Sequence, residues 1–136
     1  MLIHGSSVAL AGRAVLITGA SGRGKSTLAL ALMAVGGELV SDDQVMLSRD
    51  GDLLLADAPA TIRGRIEARG VGILTAAAVG PMPVALCVDL DRSEDHRLPP
   101  LRHSAFLGVS VPLVLGPFGS HLCHAVRQYL IGGRAA

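Results

Sequence analysis

The 136-residue chain has almost no aromatic side chains: Trp is absent, and one Tyr and two Phe are the only members of that class. Modules that bind RNA or single-stranded DNA need aromatic platforms on which bases stack, so this scarcity argues against them. The charge balance agrees, because 12 basic and 11 acidic residues leave a formal charge of +1 and no basic footprint. We therefore expect no nucleic-acid partner.

Cysteine is equally scarce. Cys87 and Cys123 lie far apart and form no C-x-x-C pair, so the sequence suggests neither a zinc site nor a disulfide framework. We interpret both as core thiols. No apolar run approaches the ~18 residues of a membrane span, and no basic segment precedes the first apolar stretch as it does in a signal peptide. We expect a cytoplasmic protein without membrane association.

Aliphatic material, in contrast, is abundant. Half of the residues are hydrophobic and only 17% are charged, which excludes a disordered chain and supplies a core. The length fits one domain, since domains usually take roughly 100–200 residues. We expect a single domain over residues 1–136.

Local patterns predict short strands and two helices. In chain order they are a hairpin of residues 2–10 and 14–18, a helix from 25 to about 35, a strand at 38–41, a hairpin of 45–48 and 53–56, buried strands at 83–89 and 111–115, and an amphipathic helix at 119–131. Residues 57–72 have few large apolar side chains, so we expect them to be irregular and exposed. Residues 91–103 are expected to form a charged loop.

A glycine-rich loop, GASGRGKS at residues 19–26, joins the first hairpin to the first helix and satisfies G-x-x-x-x-G-K-[ST]. Glycines let backbone N–H groups turn around phosphate oxygens at the positive end of a helix dipole. Lys25 would reach the β- and γ-phosphates, and the Ser26 hydroxyl would ligate Mg²⁺. The alternative is a turn that merely links strand to helix. It gives no reason why the only lysine among 12 basic residues stands at the position that needs an ammonium.

We therefore predict that this loop, here called the P-loop, binds ATP together with Mg²⁺. The predicted nucleotide-binding residues are Gly19, Ala20, Ser21, Gly22, Arg23, Gly24, Lys25, Ser26 and Thr27.

Two adjacent acids, Asp42 and Asp43, follow the strand that comes after the P-loop helix. That connection returns the chain to the sheet edge where the P-loop lies. One acid would hold Mg²⁺ while the other acts as a base on an attacking hydroxyl. A solvated Asp-Asp turn is the alternative interpretation. Asp89 competes for the metal site, because it ends an apolar run in the manner of a Walker B strand.

These segments occur in a specific combination: His4-Gly5 on the first strand, the P-loop, Ser41-Asp42-Asp43, and the later stretch EARGVGI at residues 67–73. The combination resembles the C-terminal catalytic domain of bacterial HPr kinase/phosphorylase, in a short form found in alphaproteobacteria. The resemblance is good over residues 1–75 and weak beyond. It implies an α/β fold, the P-loop variant shared with phosphoenolpyruvate carboxykinase, with a mixed central sheet and flanking helices.

The resemblance also implies an activity, the ATP-dependent phosphorylation of a serine on HPr or an HPr-like carrier of the phosphotransferase system. Asp43 would be the general base, with His4 close to it and Lys25 and Arg69 at the catalytic centre. The partner would be that phosphocarrier protein, and the assembly a homo-oligomer, a hexamer in this family.

The metal site that the resemblance implies is built from Ser26, Asp42 and Glu67. Spacing alone leaves open whether Asp42 or Asp89 completes it. Two other functions also stay open at this stage: a P-loop kinase of small molecules, and a non-catalytic module that binds ATP and a partner.

The chain departs from the family in two respects. It begins where the catalytic domain begins, so we expect no N-terminal regulatory domain. It also lacks the Pro-Gly-Arg-Asn segment of the family, and residues 115–121 stand in its place. Phosphorylase action needs cations that screen two phosphates from each other. Only Arg127 or a protonated His121 could substitute there, so we expect weak or absent phosphorylase activity at neutral pH.

Overall fold

The computed structural model describes all residues, 1–136. Eleven strands and two helices follow one another along the chain. They are β1 (Leu2–His4), β2 (Ser6–Leu10), β3 (Arg13–Thr18), α1 (Lys25–Ala34), β4 (Glu38–Ser41), β5 (Gln44–Asp50), β6 (Leu53–Asp57), β7 (Arg65–Ala68), β8 (Gly72–Thr75), β9 (Met82–Ser93), β10 (His103–Phe106), β11 (Val109–Gly116) and α2 (Ser120–Gly132).

A nine-stranded mixed sheet forms the body of the molecule, in the order β1-β5-β6-β9-β3-β2-β4, with β11 beside β9 and β10 beside β11. Its centre is parallel, because β9 runs parallel to β3 on one side and to β11 on the other. The β2–β3 and β5–β6 pairs are the antiparallel hairpins expected from the sequence. The carboxyl ends of β3 and β9 meet at one edge of the sheet, and the P-loop leaves from that edge.

Both helices cover the same face of this sheet. Leu28 and Leu32 of α1 and Val126 and Leu130 of α2 are buried in one aliphatic core with Ile17 of β3. The opposite face is packed by the sheet itself, since residues of β5 and β6 share a second core with β3 and β9. The predicted mixed sheet with helices is confirmed, with the helices on one side only.

The two cysteines lie one in each core, free and buried. Burial raises the pKa of the Cys87 thiol to about 11. A thiol with so high a pKa stays protonated at neutral pH and is a poor nucleophile. The interpretation of both residues as core thiols is confirmed. Neither helix has the length and apolarity that crossing a membrane requires.

The expectation of an irregular, exposed segment at residues 57–72 is wrong in part. β7 and β8 pair as a separate antiparallel hairpin around the turn at 69–71. Ile66 is 1% exposed and joins the core under α1, whereas all four residues of β8 are exposed. β7 carries only one large apolar side chain, Ile66, and one residue forms no alternating pattern that would indicate a strand.

The expected loop at 91–103 is shorter, because β9 continues to Ser93 and β10 begins at His103. Glu94 and Arg102 close it with two hydrogen bonds, in which Nε and one terminal nitrogen of the guanidinium donate over 2.9 and 3.0 Å. This pairing lowers the pKa of Glu94 to about 2. Opposite charges in the predicted loop thus tie its two ends together.

Candidate active site

The P-loop joins the end of β3 to the start of α1. Gly24 precedes α1 with φ at 100°, a left-handed conformation that glycine adopts without strain. A Cβ at this position would lie 3.0 Å from the ring of Phe118. No side chain caps the first turn of α1 and no acidic residue stands in it. Its N–H groups and the positive end of its dipole are therefore available to an anion.

A cavity of about 470 Å³ opens at the P-loop, and we call it the P-loop cavity. Twelve of its 13 lining residues are polar, charged or glycine, and Phe118 is the only hydrophobic one. The lining residues are His4, Ser6, Ser21, Gly22, Arg23, Gly24, Lys25, Ser26, Thr27, Asp43, Glu67, Arg69 and Phe118. The structure thus brings all four predicted catalytic residues to one place.

Lys25 is held inside the P-loop. Its Nζ donates to the carbonyl oxygens of Gly19 at 2.7 Å and Ala20 at 3.1 Å, and the residue is 8% exposed. Gly19 and Ala20 do not line the P-loop cavity, but their carbonyl groups hold the ammonium in place. An ammonium carries three donors, so one remains for a ligand.

Asp42 lies beneath the P-loop cavity and is 5% exposed. Its Oδ1 accepts a hydrogen bond from Ser26 Oγ at 2.8 Å, and its Oδ2 accepts one from the main-chain N–H of Glu67 at 3.0 Å. Because Ser26 gives its proton to Asp42, the lone pairs of its hydroxyl are left for a cation. Asp42 therefore reaches the cavity through Ser26.

Asp43 has the opposite placement, with its side chain 70% exposed in the P-loop cavity. Its φ of 69° is unusual for a residue other than glycine. The conformation is held by the main chain, because its carbonyl accepts the N–H of Gly5 at 3.0 Å. His4 Nδ1 lies 3.6 Å from Asp43 Oδ1, a close electrostatic contact rather than a hydrogen bond. The two adjacent acids are thus divided into one buried and one accessible carboxylate.

The donor set fits Mg²⁺ shared with a nucleotide. No group of three or more His, Cys, Asp and Glu side chains is arranged to hold a metal by itself. Mg²⁺ is usually bound by one or two carboxylates together with substrate phosphates and water. Ser26 and Glu67 line the cavity beside the phosphate loop, with Asp42 behind Ser26. These residues would complete the coordination of a phosphate-bound cation.

Asp89 lies outside the P-loop cavity. Its Oδ1 accepts the main-chain N–H of Asp91 at 2.9 Å, and its Oδ2 is 3.9 Å from Arg92 Nε. These contacts stabilise the main chain near the carboxyl end of β9. Asp89 is therefore placed to hold backbone, and Asp42 is the acid that contacts the P-loop serine.

Three residues of the site were not anticipated from the sequence. Ser6 lines the cavity and donates to Asp42, and Phe118 packs on Gly24. Asp91 accepts the main-chain N–H of Ala20 at 3.0 Å and lies 3.5 Å from Arg23 Nε, so it anchors the outer side of the P-loop. No motif marks any of the three. The only available signal for Ser6 was the pair of serines, Ser6 and Ser7, that begins a buried strand.

Outside the P-loop, the arginine that lines the P-loop cavity is Arg69, on the turn after β7, and no carboxylate lies within ion-pair distance of it. The expectation that Arg127 could replace the missing family arginine is wrong. Arg127 Nε donates to the carbonyl of Val35 at 3.1 Å, at the far end of α1. A ten-residue helix is about 15 Å long, which puts this guanidinium out of reach of the phosphate loop. His121 does not line the cavity either.

The chain is similar to known proteins in sequence and in fold. The family model of the HPr Serine kinase C-terminal domain matches residues 1–96. The HPr kinase/phosphorylase of Halalkalibacterium halodurans is 43% identical over 97 residues, which cover 65% of this chain and 31% of that protein. The one from Caldanaerobacter subterraneus is 45% identical over 92 residues, covering 65% and 30%.

Among solved structures, the Hpr(Ser) kinase/phosphatase from Coxiella burnetii superposes with a TM-score of 0.81 at 30% identity. The match covers 96% of this chain and 93% of that one. The chain thus spans less than a third of the length of the curated relatives it matches, and nearly all of the solved structure.

Proposed function

The chain belongs to the HPr serine kinase C-terminal domain family, and we propose that it transfers the γ-phosphoryl group of ATP to a serine of HPr or an HPr-like phosphocarrier protein. One observation carries the proposal: a single cavity holds a P-loop with its lysine and serine and, facing them, an accessible carboxylate, Asp43. The names of the relatives support the choice of acceptor.

In this reaction the P-loop receives the nucleotide. Backbone N–H groups at the start of α1 would bind phosphate oxygens, and the remaining donor of Lys25 would bind the β- and γ-phosphates. Ser26 and Glu67 would hold Mg²⁺, with Asp42 keeping Ser26 in place. The bound ion would neutralise charge on the transferred phosphoryl group.

Asp43 performs the proton transfer. Its carboxylate accepts the proton of the acceptor serine hydroxyl as that oxygen bonds to the γ-phosphorus, and the bond from the γ-phosphorus to the bridging oxygen breaks to release ADP. His4, 3.6 Å away, would stabilise the carboxylate when its ring is protonated. Arg69, which lines the same cavity, would contact the phosphoryl oxygens.

The direct test is incubation of the protein with ATP, Mg²⁺ and purified HPr, followed by mass spectrometry of the carrier. We expect one phosphoserine on HPr, and none when the acceptor serine is replaced by Ala. ATP consumption without labelled carrier would indicate a small-molecule kinase instead. ATP binding without turnover would indicate a regulatory module.

A prediction about the reverse reaction follows from Arg69. We propose that phosphorylase activity at neutral pH is weak and depends on this one guanidinium, because Arg23 and Lys25 belong to the P-loop and Arg69 is the only other lysine or arginine that lines the cavity. Arg69→Gln is expected to lower phosphate-dependent release of pyrophosphate from phospho-HPr about 100-fold, and the forward reaction about tenfold.

The matched control is Arg65→Gln, on the same hairpin but outside the P-loop cavity. It should leave both directions within about twofold of the starting protein, because it removes a charge without touching the phosphate site. Phosphorolysis as fast as the kinase reaction, or unchanged in Arg69→Gln, would contradict the proposal.

We also propose that residues 1–136 suffice for the reaction, in the cytoplasm, as a homo-oligomer and specifically a hexamer. The family resemblance supports the assembly. Sedimentation velocity measures it, and a species of only 13.9 kDa at micromolar concentration would contradict it.

A further inference from the structure

A buried serine hydroxyl lies at the wall of the P-loop cavity. Ser6, the first residue of β2, is 1% exposed, and its Oγ donates to Asp42 Oδ1 over 2.7 Å. The same carboxylate oxygen accepts the hydroxyl of Ser26 at 2.8 Å. One oxygen atom therefore links Ser6 to the residue that would ligate Mg²⁺.

The Asp42 carboxylate depends on these donors because it is almost excluded from water. Three groups supply them: the hydroxyls of Ser6 and Ser26 and the main-chain N–H of Glu67. A buried charge that loses a donor must reorient or draw in water, at a cost larger than that of a neutral group. Ser26 and Glu67 belong to the predicted metal site, so Ser6 is the one donor that serves Asp42 alone.

We propose that Ser6 is a positioning residue for the metal site. By holding Asp42 Oδ1, it keeps that oxygen as the acceptor for Ser26, and the lone pairs of Ser26 then face the cavity. Without Ser6, Asp42 Oδ1 keeps only Ser26 as a donor, and the hydroxyl of Ser26, which also lies 3.1 Å from Oδ2, can turn toward either oxygen. The inference rests on the proposed function, because it assumes a nucleotide-bound Mg²⁺ at Ser26.

The neighbouring residue provides a matched control. Ser7 is 0% exposed on the same strand, and its Oγ donates to the main-chain carbonyl of Val15 at 2.8 Å. Ser6→Ala and Ser7→Ala each remove one buried hydroxyl and one hydrogen bond of similar length. Only the first of them touches Asp42.

The experiment measures ADP binding by calorimetry over a range of Mg²⁺ concentrations and in EDTA, with thermal unfolding in parallel. Mg²⁺ should strengthen ADP binding, and we expect Ser6→Ala to raise the Mg²⁺ concentration that gives half of this effect about tenfold. Residues that support a metal ligand usually have effects of this size. Binding in EDTA should stay within about twofold. Ser7→Ala should leave the Mg²⁺ dependence of ADP binding unchanged. It should lower the melting temperature about as much as Ser6→Ala does.

Equal Mg²⁺ dependence in Ser6→Ala and Ser7→Ala would overturn the proposal and leave Ser6 a structural residue. If Ser6→Ala does not fold, Ser6→Cys replaces it with Ser7→Cys as control; a thiol is a weak donor, so we expect about a threefold shift in the first variant only. Equal shifts in these two variants would overturn it as well. The readout is independent of HPr, so a protein that fails to label the carrier but shows the Ser6 effect contradicts only the proposed function.

Discussion

Asp43→Asn is expected to slow phosphoryl transfer to HPr by about 10²–10⁴-fold, the range that a general base contributes. ATP affinity should change by less than about threefold. Asp43 lines the P-loop cavity but lies on neither the P-loop nor α1, so its replacement should destabilise the transition state rather than weaken nucleotide binding. Removing a negative charge from the cavity favours an anionic ligand, and any change in affinity should therefore be toward tighter binding.

Asn is the right replacement because of the backbone. Asp43 has φ at 69°, and Asn is one of the few residues that adopt this left-handed conformation readily. Ala would add strain and would confuse a catalytic loss with a folding defect. Equal melting temperatures of the two proteins would show that the Asn variant isolates the chemistry.

The neighbouring acid serves as the control. Asp42→Asn keeps two polar atoms under the cavity but loses the charge that accepts three donors. We expect it to raise the Mg²⁺ requirement of ATP binding rather than to abolish transfer at saturating metal. Single-turnover rates at several Mg²⁺ concentrations separate the two variants. Full activity in Asp43→Asn would contradict the assignment of Asp43 as the general base.

Local chemistry explains why so much of the site could be read from the sequence. The glycines of the P-loop determine its conformation, and Asp50-Gly51 determines the turn of the β5–β6 hairpin. Both features depend on residues that are neighbours in the sequence. The return of the chain after α1 to the P-loop edge follows from ordinary connection rules. The sequence therefore predicts that Asp42 and Asp43 lie at the P-loop edge of the sheet, where the structure has them.

The features of the site that the sequence did not predict depend on contacts between residues far apart in the chain. Spacing does not say which of two adjacent acids is buried; that is decided by Ser6, 36 residues away, and by the main chain of Glu67. Asp91 reaches the P-loop across 71 residues. The role assigned to Arg127 failed for the same reason, because only the packing of α2 on α1 shows that its guanidinium meets Val35.

The P-loop lysine carries the second large prediction. Lys25→Ala is expected to weaken binding of the ATP–Mg²⁺ complex about 100-fold, or about 2.7 kcal/mol. A charge-assisted hydrogen bond to a phosphate contributes about 1.5–3 kcal/mol, and the variant also leaves the carbonyls of Gly19 and Ala20 without their donor. Lys25→Arg should not restore binding, because the planar guanidinium fork does not fit a position where a compact ammonium meets two carbonyls of one tight loop.

Arg23→Ala provides the comparison, since it removes another cation from the same loop. Its side chain is 60% exposed and lies 3.5 Å from Asp91, so we expect a loss of only about threefold in ATP affinity. Calorimetric titration of the three variants at saturating Mg²⁺ measures the difference, with circular dichroism as the check on folding. Equal affinity of Lys25→Ala and the unmodified protein would contradict the assignment of residues 19–27 as the nucleotide site. A loss in Arg23→Ala as large as in Lys25→Ala would show instead that net charge, and not the ammonium held inside the loop, governs phosphate binding.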